Sequence, residues 1–574
     1  MSGAVVGLRI VNKRTISCLH VLPSHQLTKM NSNRSDQRNR GAYYTPDAVA
    51  EYMAEWLMAK PLASILEPSA GDGAFLRAIA AVAKRKGRAV PRTTAVELSR
   101  TAIQRASEGI APSTTCFVHS DFLLHTASEY GAVIGNPPFV RLRHLPIEER
   151  KRAMDAAEAT LNHGMDPSGS VWMPFVLHAC ERLRKGGRLA MVLPLELTYV
   201  RYARPFWRFL HDSFAGLRVV RVRERLFPDI SQDVVLLFAD RAGGKTSTIR
   251  FEAFADLQSL LDGTAETRCD IDATDVVRGE RAFLWALLNP ELQDLLANRL
   301  HRRLVSAGQL ARFRIGYVAG DKSFFHPSRD VAKHYVLRRQ NLVATIASAR
   351  SLRRSGLFTS GTSSAKQERL FLPLARELND GEAAYVRLGE KSGVAAAYKC
   401  RVRSPWYVVP YVTPPDIVMS VFSDRPLIAI NDAGKAVSNS FLCGTLLEGT
   451  PEAFACRWYN SLTLLQCELN VHSLGGGVFV LVPREASAVK LLRTVSSSKR
   501  LLAKIDLALK SGDLSAAYES GDHSILGQRE ELSAKDIGLI QEGVSILCKW
   551  RNPSSQGEPI LGEQLDEQLA LLEA

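Results

Sequence analysis

Asn136-Pro137-Pro138-Phe139 places a side-chain amide, two rigid residues and an aromatic ring on consecutive positions. This set suits an exocyclic amine on a planar ring. Such an amine is a poor nucleophile because its lone pair is delocalised into the ring. Two acceptors set on its hydrogens draw the nitrogen toward tetrahedral geometry. The Asn136 side-chain oxygen and the Pro137 main-chain carbonyl fit that role. Pro137 and Pro138 stiffen the loop, so little entropy is lost when a substrate docks. Phe139 offers a flat apolar face for stacking. No general base with a tuned pKa is required, since the amine becomes acidic only after alkylation. The competing reading, a plain proline-rich turn, is weakened by a second motif earlier in the chain.

That motif is Glu67-Pro68-Ser69-Ala70-Gly71-Asp72-Gly73. Gly71 and Gly73 allow positive φ and a close backbone approach to a ligand. A glycine turn between a strand and a helix lies at the carboxyl edge of an open α/β sheet, where ligands bind. The full Gly-x-Gly-x-x-Gly spacing is missing, which disfavours a dinucleotide. Glu97 and Asp121 end the next two apolar runs. A carboxylate at Glu97 can chelate ribose hydroxyls. One at Asp121 can accept from an adenine amine, with Phe122 packing on the ring. A lone acid is usually a surface carboxylate, but Glu67, Glu97 and Asp121 stand at three successive strand ends. A nucleoside cofactor beside an amine-polarising loop predicts methyl transfer from S-adenosylmethionine to a base nitrogen.

These residues need a sheet to present them. Apolar runs predict strands at 64–67, 93–96, 132–135 and 189–194, with one more ending at His119-Ser120-Asp121-Phe122. Helical spacing covers 49–57, with Pro46 in its first turn. It recurs at 74–82, closing at Lys84-Arg85-Lys86 before Gly87, and at 172–183. Alternating strands and helices predict an α/β, Rossmann-like, mostly parallel sheet. The runs 219–222 and 234–238 are expected to form a hairpin at the sheet edge. The pattern then divides the chain. Residues 1–40 are expected to be a disordered leader, with Met30 an alternative start, and 41–260 the catalytic domain. Residues 261–305 form a helical connector, 306–490 a loop-rich α+β target recognition domain, and 491–574 a helical C-terminal region.

The bulk properties agree with a nucleic-acid enzyme. A 574-residue chain that is 46% hydrophobic exceeds one ordinary core. Its net charge of +14 and pI near 9.4 favour polyanionic partners. Nine dispersed cysteines form no Cys-x-x-Cys pair, so a cytoplasmic protein with reduced thiols and no metal is expected. No apolar stretch is long enough for a membrane span.

From residue 41 to about 240 the chain resembles the gamma class of N6-adenine DNA methyltransferases. The motifs follow in that family's order: Tyr44-Thr45-Pro46, the glycine turn, Glu97, Asp121-Phe122, Asn136-Pro137-Pro138-Phe139, then Arg225-Leu226-Phe227-Pro228. The resemblance implies that Thr45 contacts the methionine part of the cofactor. Glu67, Ser69, Gly71, Gly73 and Phe122 complete the cofactor pocket, Glu97 holds the ribose and Asp121 the adenine amine. Phe227 becomes a second aromatic on a flipped target base. Phe139 stands where many members carry Tyr, and stacking survives that change. The second half resembles the recognition region of stand-alone modification methylases at Arg403-Ser404-Pro405-Trp406-Tyr407, Asn431-Asp432-Ala433-Gly434 and Ser473-Leu474-Gly475-Gly476-Gly477. Arg353 and Arg354, in a basic stretch, with Arg403 and Trp406, are the expected DNA contacts. The resemblance implies a monomer acting on double-stranded DNA, partnered by a separately encoded restriction endonuclease. Cytosine-N4 methylation, RNA or protein-glutamine methylation, and a non-catalytic DNA-binding scaffold remain the alternatives.

Overall fold

The computed structural model describes residues 45–552 except 109, 228–232, 353, 362–367, 374–376, 424, 471 and 474–478. The leader 1–40, Arg353, Pro228 and the 474–477 glycine run lie outside the described residues.

Nine strands form one sheet in the order β3-β2-β1-β4-β5-β7-β6-β8-β9. They are β1 (Ser64–Glu67), β2 (Arg92–Glu97), β3 (Thr115–His119), β4 (Tyr130–Gly135), β5 (Leu183–Pro194), β6 (Phe214–Val222), β7 (Val234–Ala242), β8 (Thr248–Phe254) and β9 (Thr267–Asp272). The first five strands are mutually parallel, and β7 and β9 run antiparallel to their neighbours. The 219–222 and 234–238 runs do form an antiparallel pair. They are not at the edge, however: β7 is inserted between β5 and β6, and β8 and β9 extend the sheet past residue 260. The two faces follow from side-chain alternation. Leu66, Val133 and Met191 enter one apolar cluster, while Ile65, Ala132, Ile134 and Val192 enter the other.

The helices α1 (Asp47–Leu57), α2 (Ala74–Arg85), α3 (Arg100–Ser107), α4 (Ile147–Leu161), α5 (Trp172–Glu181) and α6 (Arg204–Ser213) cover this sheet. Pro46 is the residue before α1 rather than part of its first turn. The run 172–183 stops being helical at Glu181, because β5 begins at Leu183 and passes straight through Lys185-Gly186-Gly187. Gly73 caps α2 with φ +82, and a Cβ there would press on Ala106 of α3 at 3.1 Å. Only glycine meets both demands.

The second half is built from short strands. Ala311–Ile315, Ile417–Ser420, Ile428–Ile430 and Phe441–Leu446 make a four-stranded sheet, and Leu342–Ile346, Glu368–Phe371 and Ala436–Val437 a three-stranded one. Helices Lys499–Ser511 and Ala534–Arg551 follow. The two halves share apolar packing: Leu288, Leu292, Leu465 and Leu547 belong to the same buried cluster as Leu66 and Val133. Residues 282–303 are therefore a packed part of the core as well as a connection.

The tail returns to the catalytic sheet. Buried Arg221, near the end of β6, donates to the Trp550 carbonyl at 2.8 Å and lies 4.8 Å over the Trp550 ring. Burial lowers the Arg221 pKa to about 10, so the ring and carbonyl compensate a costly buried charge. Next to it Arg551 pairs with buried Glu468 at 2.9 Å. Trp550→Ala is expected to destabilise the protein by about 3–5 kcal/mol in urea unfolding, with Trp550→Phe recovering most of the loss. A change below about 1 kcal/mol would mean that the tail is not docked on β6.

Candidate active site

The site is assembled at one sheet edge by the register between β1 and β4. Ile65 pairs with Ala132 and Leu66 with Val133 in parallel, so Glu67 and Asn136 leave the sheet side by side. Pro68 packs on the next residue of β4: a Cβ on Gly135 would stand 3.1 Å from the Pro68 ring. The two motifs are then joined directly. The Ser69 hydroxyl donates to the Asn136 main-chain carbonyl at 3.0 Å. The Asn136 side-chain nitrogen donates to the hydroxyl of buried Thr45 at 3.3 Å. That bond turns the amide nitrogen toward Thr45 and the amide oxygen away from it. With the Asn136 carbonyl engaged by Ser69, the Pro137 carbonyl is the neighbouring acceptor.

The glycine turn has the features of a cofactor cradle. Gly71 has φ +54 and open space where a Cβ would stand. Its amide donates to Glu97 at 2.9 Å, and the Ser99 amide donates to the other Glu97 oxygen at 2.8 Å. Both bonds fix the carboxylate and leave lone pairs on each oxygen. Glu67 is fully buried, and neither of its carboxylate oxygens has a hydrogen-bond partner among the described residues. Burial raises its pKa well above the ordinary 4.5, with Asp72 and Glu97 adding repulsion. An orphaned carboxylate of this kind fits a ligand that brings a cation, as the amino group of S-adenosylmethionine does.

Asp121 follows β3 with one oxygen accepting the Leu123 amide at 3.0 Å and the other paired with Arg152 of α4. Arg152 carried no sequence signal, since it stands in a charged run on an amphipathic helix. Two expectations need correction. Phe122 is buried, its ring packed on Phe175 at 4.7 Å and His178 at 5.0 Å, so it presents no open face. Phe227 is also buried in the apolar cluster on the α1–α2 side of the sheet. Phe139 is half-buried and touches both clusters.

A polar chain, anchored on buried Glu196 and Tyr202, clamps the loop where it leaves the site. Arg141 pairs with Glu196 at 2.6 Å, Tyr202 donates to Glu196 at 2.6 Å, and the Trp172 indole donates to the Tyr202 hydroxyl at 3.3 Å. The Val140 carbonyl accepts from the Ser170 hydroxyl and the Val171 amide, both at 2.9 Å. The signal for Glu196 was available: it is another acid just after an apolar strand, β5.

The expected DNA contacts in the second half have structural partners. Arg403 donates to the Ala319 carbonyl at 2.8 Å and also to the Val318 carbonyl. Trp406 packs 5.3 Å from Phe324 and bonds Glu390 at 3.3 Å. Arg354 is exposed, with φ +58 beside Gly512. Arg338, in the same basic stretch, pairs with the buried Glu382 carboxylate at 2.6 Å. Asn431 bonds the Pro415 carbonyl at 2.8 Å, the Lys435 carbonyl at 2.9 Å and the Thr359 hydroxyl at 3.0 Å, and so forms a structural turn.

Strand order, glycine cradle and Asn-Pro-Pro-Phe loop define an S-adenosylmethionine-dependent methyltransferase. Residues 26–204 match the family model for N-6 DNA Methylase. Residues 280–526 match the C-terminal domain of Type II methyltransferase M.Eco57I. Among curated relatives, Type II methyltransferase M.AccI of Acinetobacter calcoaceticus is 23% identical over 70% of this chain and 75% of its own length. M.HincII of Haemophilus influenzae is 23% identical over 36% of this chain and 38% of its own. A solved structure of the Type IIL restriction-modification enzyme MmeI in complex with DNA aligns over 95% of this chain and 77% of that one, at 10% identity and a TM-score of 0.47. The chain is thus similar, in both halves, to DNA methyltransferases of restriction-modification systems.

Glu67 makes the cofactor-free site sensitive to pH. Its folded pKa is raised, so the native state favours the protonated form. Stability is lost as pH rises through the unfolded value of 4.5 and on toward the raised one. Glu67→Gln is expected to raise the unfolding temperature of the cofactor-free protein at pH 8 and to flatten its dependence between about pH 5 and 8. It is also expected to weaken S-adenosylmethionine binding in calorimetry. Unchanged affinity would remove Glu67 from the cofactor pocket.

Proposed function

We propose that the enzyme methylates N6 of an adenine within a specific site of duplex DNA, as the modification component of a system whose endonuclease is a separate chain. The observation that carries this reading is the Thr45–Asn136–Ser69 linkage, which ties the amine-polarising loop to the cofactor turn. The bound cofactor supplies an electrophilic methyl group on sulfur. The protein's own residues do the rest. Glu67 holds a cation at the base of the turn, Glu97 takes the ribose hydroxyls, and Asp121 takes the purine amine with the lone pairs that Arg152 and Leu123 leave. The target adenine leaves the stack to reach the loop. The Asn136 side-chain oxygen and the Pro137 carbonyl accept its two amine hydrogens, and Phe139 stacks on the ring. The nitrogen lone pair forms the new N–C bond as the methyl–sulfur bond breaks, and the surplus amine proton departs to solvent. The Arg141–Glu196–Tyr202 chain keeps the loop in place while this happens.

Residues 41–260 would carry the chemistry and 306–490 the choice of site, with 261–305 and the helical region after 490 holding the two together. In this reading Arg354 meets phosphate, while Arg403 and Trp406 shape the recognition fold from within. The monomer is the working unit, and the cytoplasm is its place. Among the described residues no helix is long and apolar enough to cross a membrane.

Asn136→Ala is expected to abolish transfer of tritiated methyl groups to duplex DNA while S-adenosylmethionine affinity stays within a few-fold of the parent. Retained transfer would refute the assignment of the loop. A parallel collapse of cofactor affinity would mean that Asn136 acts on the cofactor rather than on the base.

A further inference from the structure

Asp121 and Arg152 come from separate parts of the chain and meet just beyond the carboxyl end of β3. Asp121 caps the single turn Phe122–Leu124, and its Oδ1 accepts the Leu123 amide at 3.0 Å. That bond is local and holds only one of the two oxygens. Arg152 of α4 holds the other: its Nη1 donates to Oδ2, and the two side chains form a partly buried ion pair. The pairing is selective. Of the successive cations Arg150, Lys151 and Arg152, only Arg152 has an ion-pair partner among the described residues.

The sequence of α4 explains how Arg152 reaches Asp121. Ala153 and Ala157 are buried, and Arg152, Ala156 and Thr160 lie partly buried beside them at the spacing of one helix face. At the far end of that face the Thr160 hydroxyl donates to Glu181, the last residue of α5, at 2.7 Å. The inner face of α4 is thus anchored twice, on Glu181 by Thr160 and on Asp121 by Arg152. Because the ion pair is partly buried, salt screens it less than an exposed pair.

The two donors decide what Asp121 offers to a ligand. A guanidinium and a backbone amide donate and have no proton-accepting nitrogen. Each carboxylate oxygen therefore faces a donor and keeps a lone pair, so the group meets the pocket as an acceptor. An amine at the 6-position of a purine satisfies that lone pair. A carbonyl at the same position sets two acceptors against each other. We propose that Arg152 is a positioning residue that makes the cofactor site selective for a 6-aminopurine over a 6-oxopurine. The inference rests on the reading of Asp121 as the acceptor for the purine amine, and it adds the group that fixes the orientation and hydrogen-bonding character of that acceptor. Arg152 acts through Asp121 and not on the cofactor itself.

The test uses the full chain and two ligands that differ at the purine 6-position: S-adenosylhomocysteine, with an amine, and S-inosylhomocysteine, with a carbonyl. Calorimetry measures the affinity for each, and their ratio is the readout. The parent is expected to prefer the adenosyl ligand by about tenfold or more. R152Q is expected to cut that preference by about threefold or more, with R152K keeping most of it. T160V releases the other anchor of α4 without touching Asp121 and is expected to keep the parental ratio. A parental ratio in R152Q, with both ligands weakened equally, would mean that Arg152 only packs the helix and would overturn the proposal. So would a loss of preference in T160V as large as that in R152Q. Either result leaves the reading of Asp121 intact. D121A is expected to abolish the preference; a parental ratio in D121A, or no preference in the parent, would overturn both.

Discussion

The parallel register between β1 and β4 is the constraint from which the rest follows. Two strands adjacent in the sheet but far apart in sequence end at the same level. One releases the chain into a glycine turn and the other into a rigid Asn-Pro-Pro-Phe loop. Pro68 fills the space above Gly135, and Ser69 and Thr45 each hold one group of Asn136. In-line methyl transfer demands that donor and acceptor be placed to within a fraction of an ångström. Here that placement depends on a backbone register and two hydrogen bonds, which are stiffer than any pair of mobile loops.

A second layer of organisation serves the same end. The catalytic sheet and the second half share one buried apolar cluster. The last helix brings Trp550 back onto Arg221 at the end of β6. If one half chooses the site and the other modifies the base, as proposed, a fixed distance between them is needed. Continuous packing supplies it. The same site carries a cost. Glu67 is buried without a partner among the described residues, so the cofactor-free enzyme holds an unfavourable group that a cationic ligand would relieve. Binding and stability are thereby coupled.

Much of the catalytic half was legible in the sequence because its central strands, β1, β4, β5 and β7, are buried on both faces over most of their length and read as apolar runs. Acids at strand ends and glycines after β1 then marked the edge that matters. What the sequence could not show was direction. Phe122 and Phe227 have the right type for stacking, yet both turn into the core, where an aromatic ring gains more from burial than from the mouth of a cleft. Arg403 and Trp406 have partners within the protein for a related reason. A guanidinium captures backbone carbonyls as readily as phosphates, and an indole packs on phenylalanine as readily as on a base. Arg152 and Arg141 were invisible because their partners are non-local, whereas Glu196 stood out only as one more acid after an apolar strand. The second half was the least legible, since its strands are short and pair with distant segments, as Ala311–Ile315 does with Phe441–Leu446. Its residues are thus placed by tertiary contacts that leave little local pattern.

The central claim is that this edge methylates the exocyclic amine of adenine in duplex DNA. The most direct test is the chemical identity of the product. Duplex DNA is incubated with the full-length protein and isotopically labelled S-adenosylmethionine, digested to nucleosides and resolved by mass spectrometry. The account predicts that the label appears in N6-methyl-2′-deoxyadenosine. Label in N4-methyl-2′-deoxycytidine, or in no nucleoside at all, would contradict it.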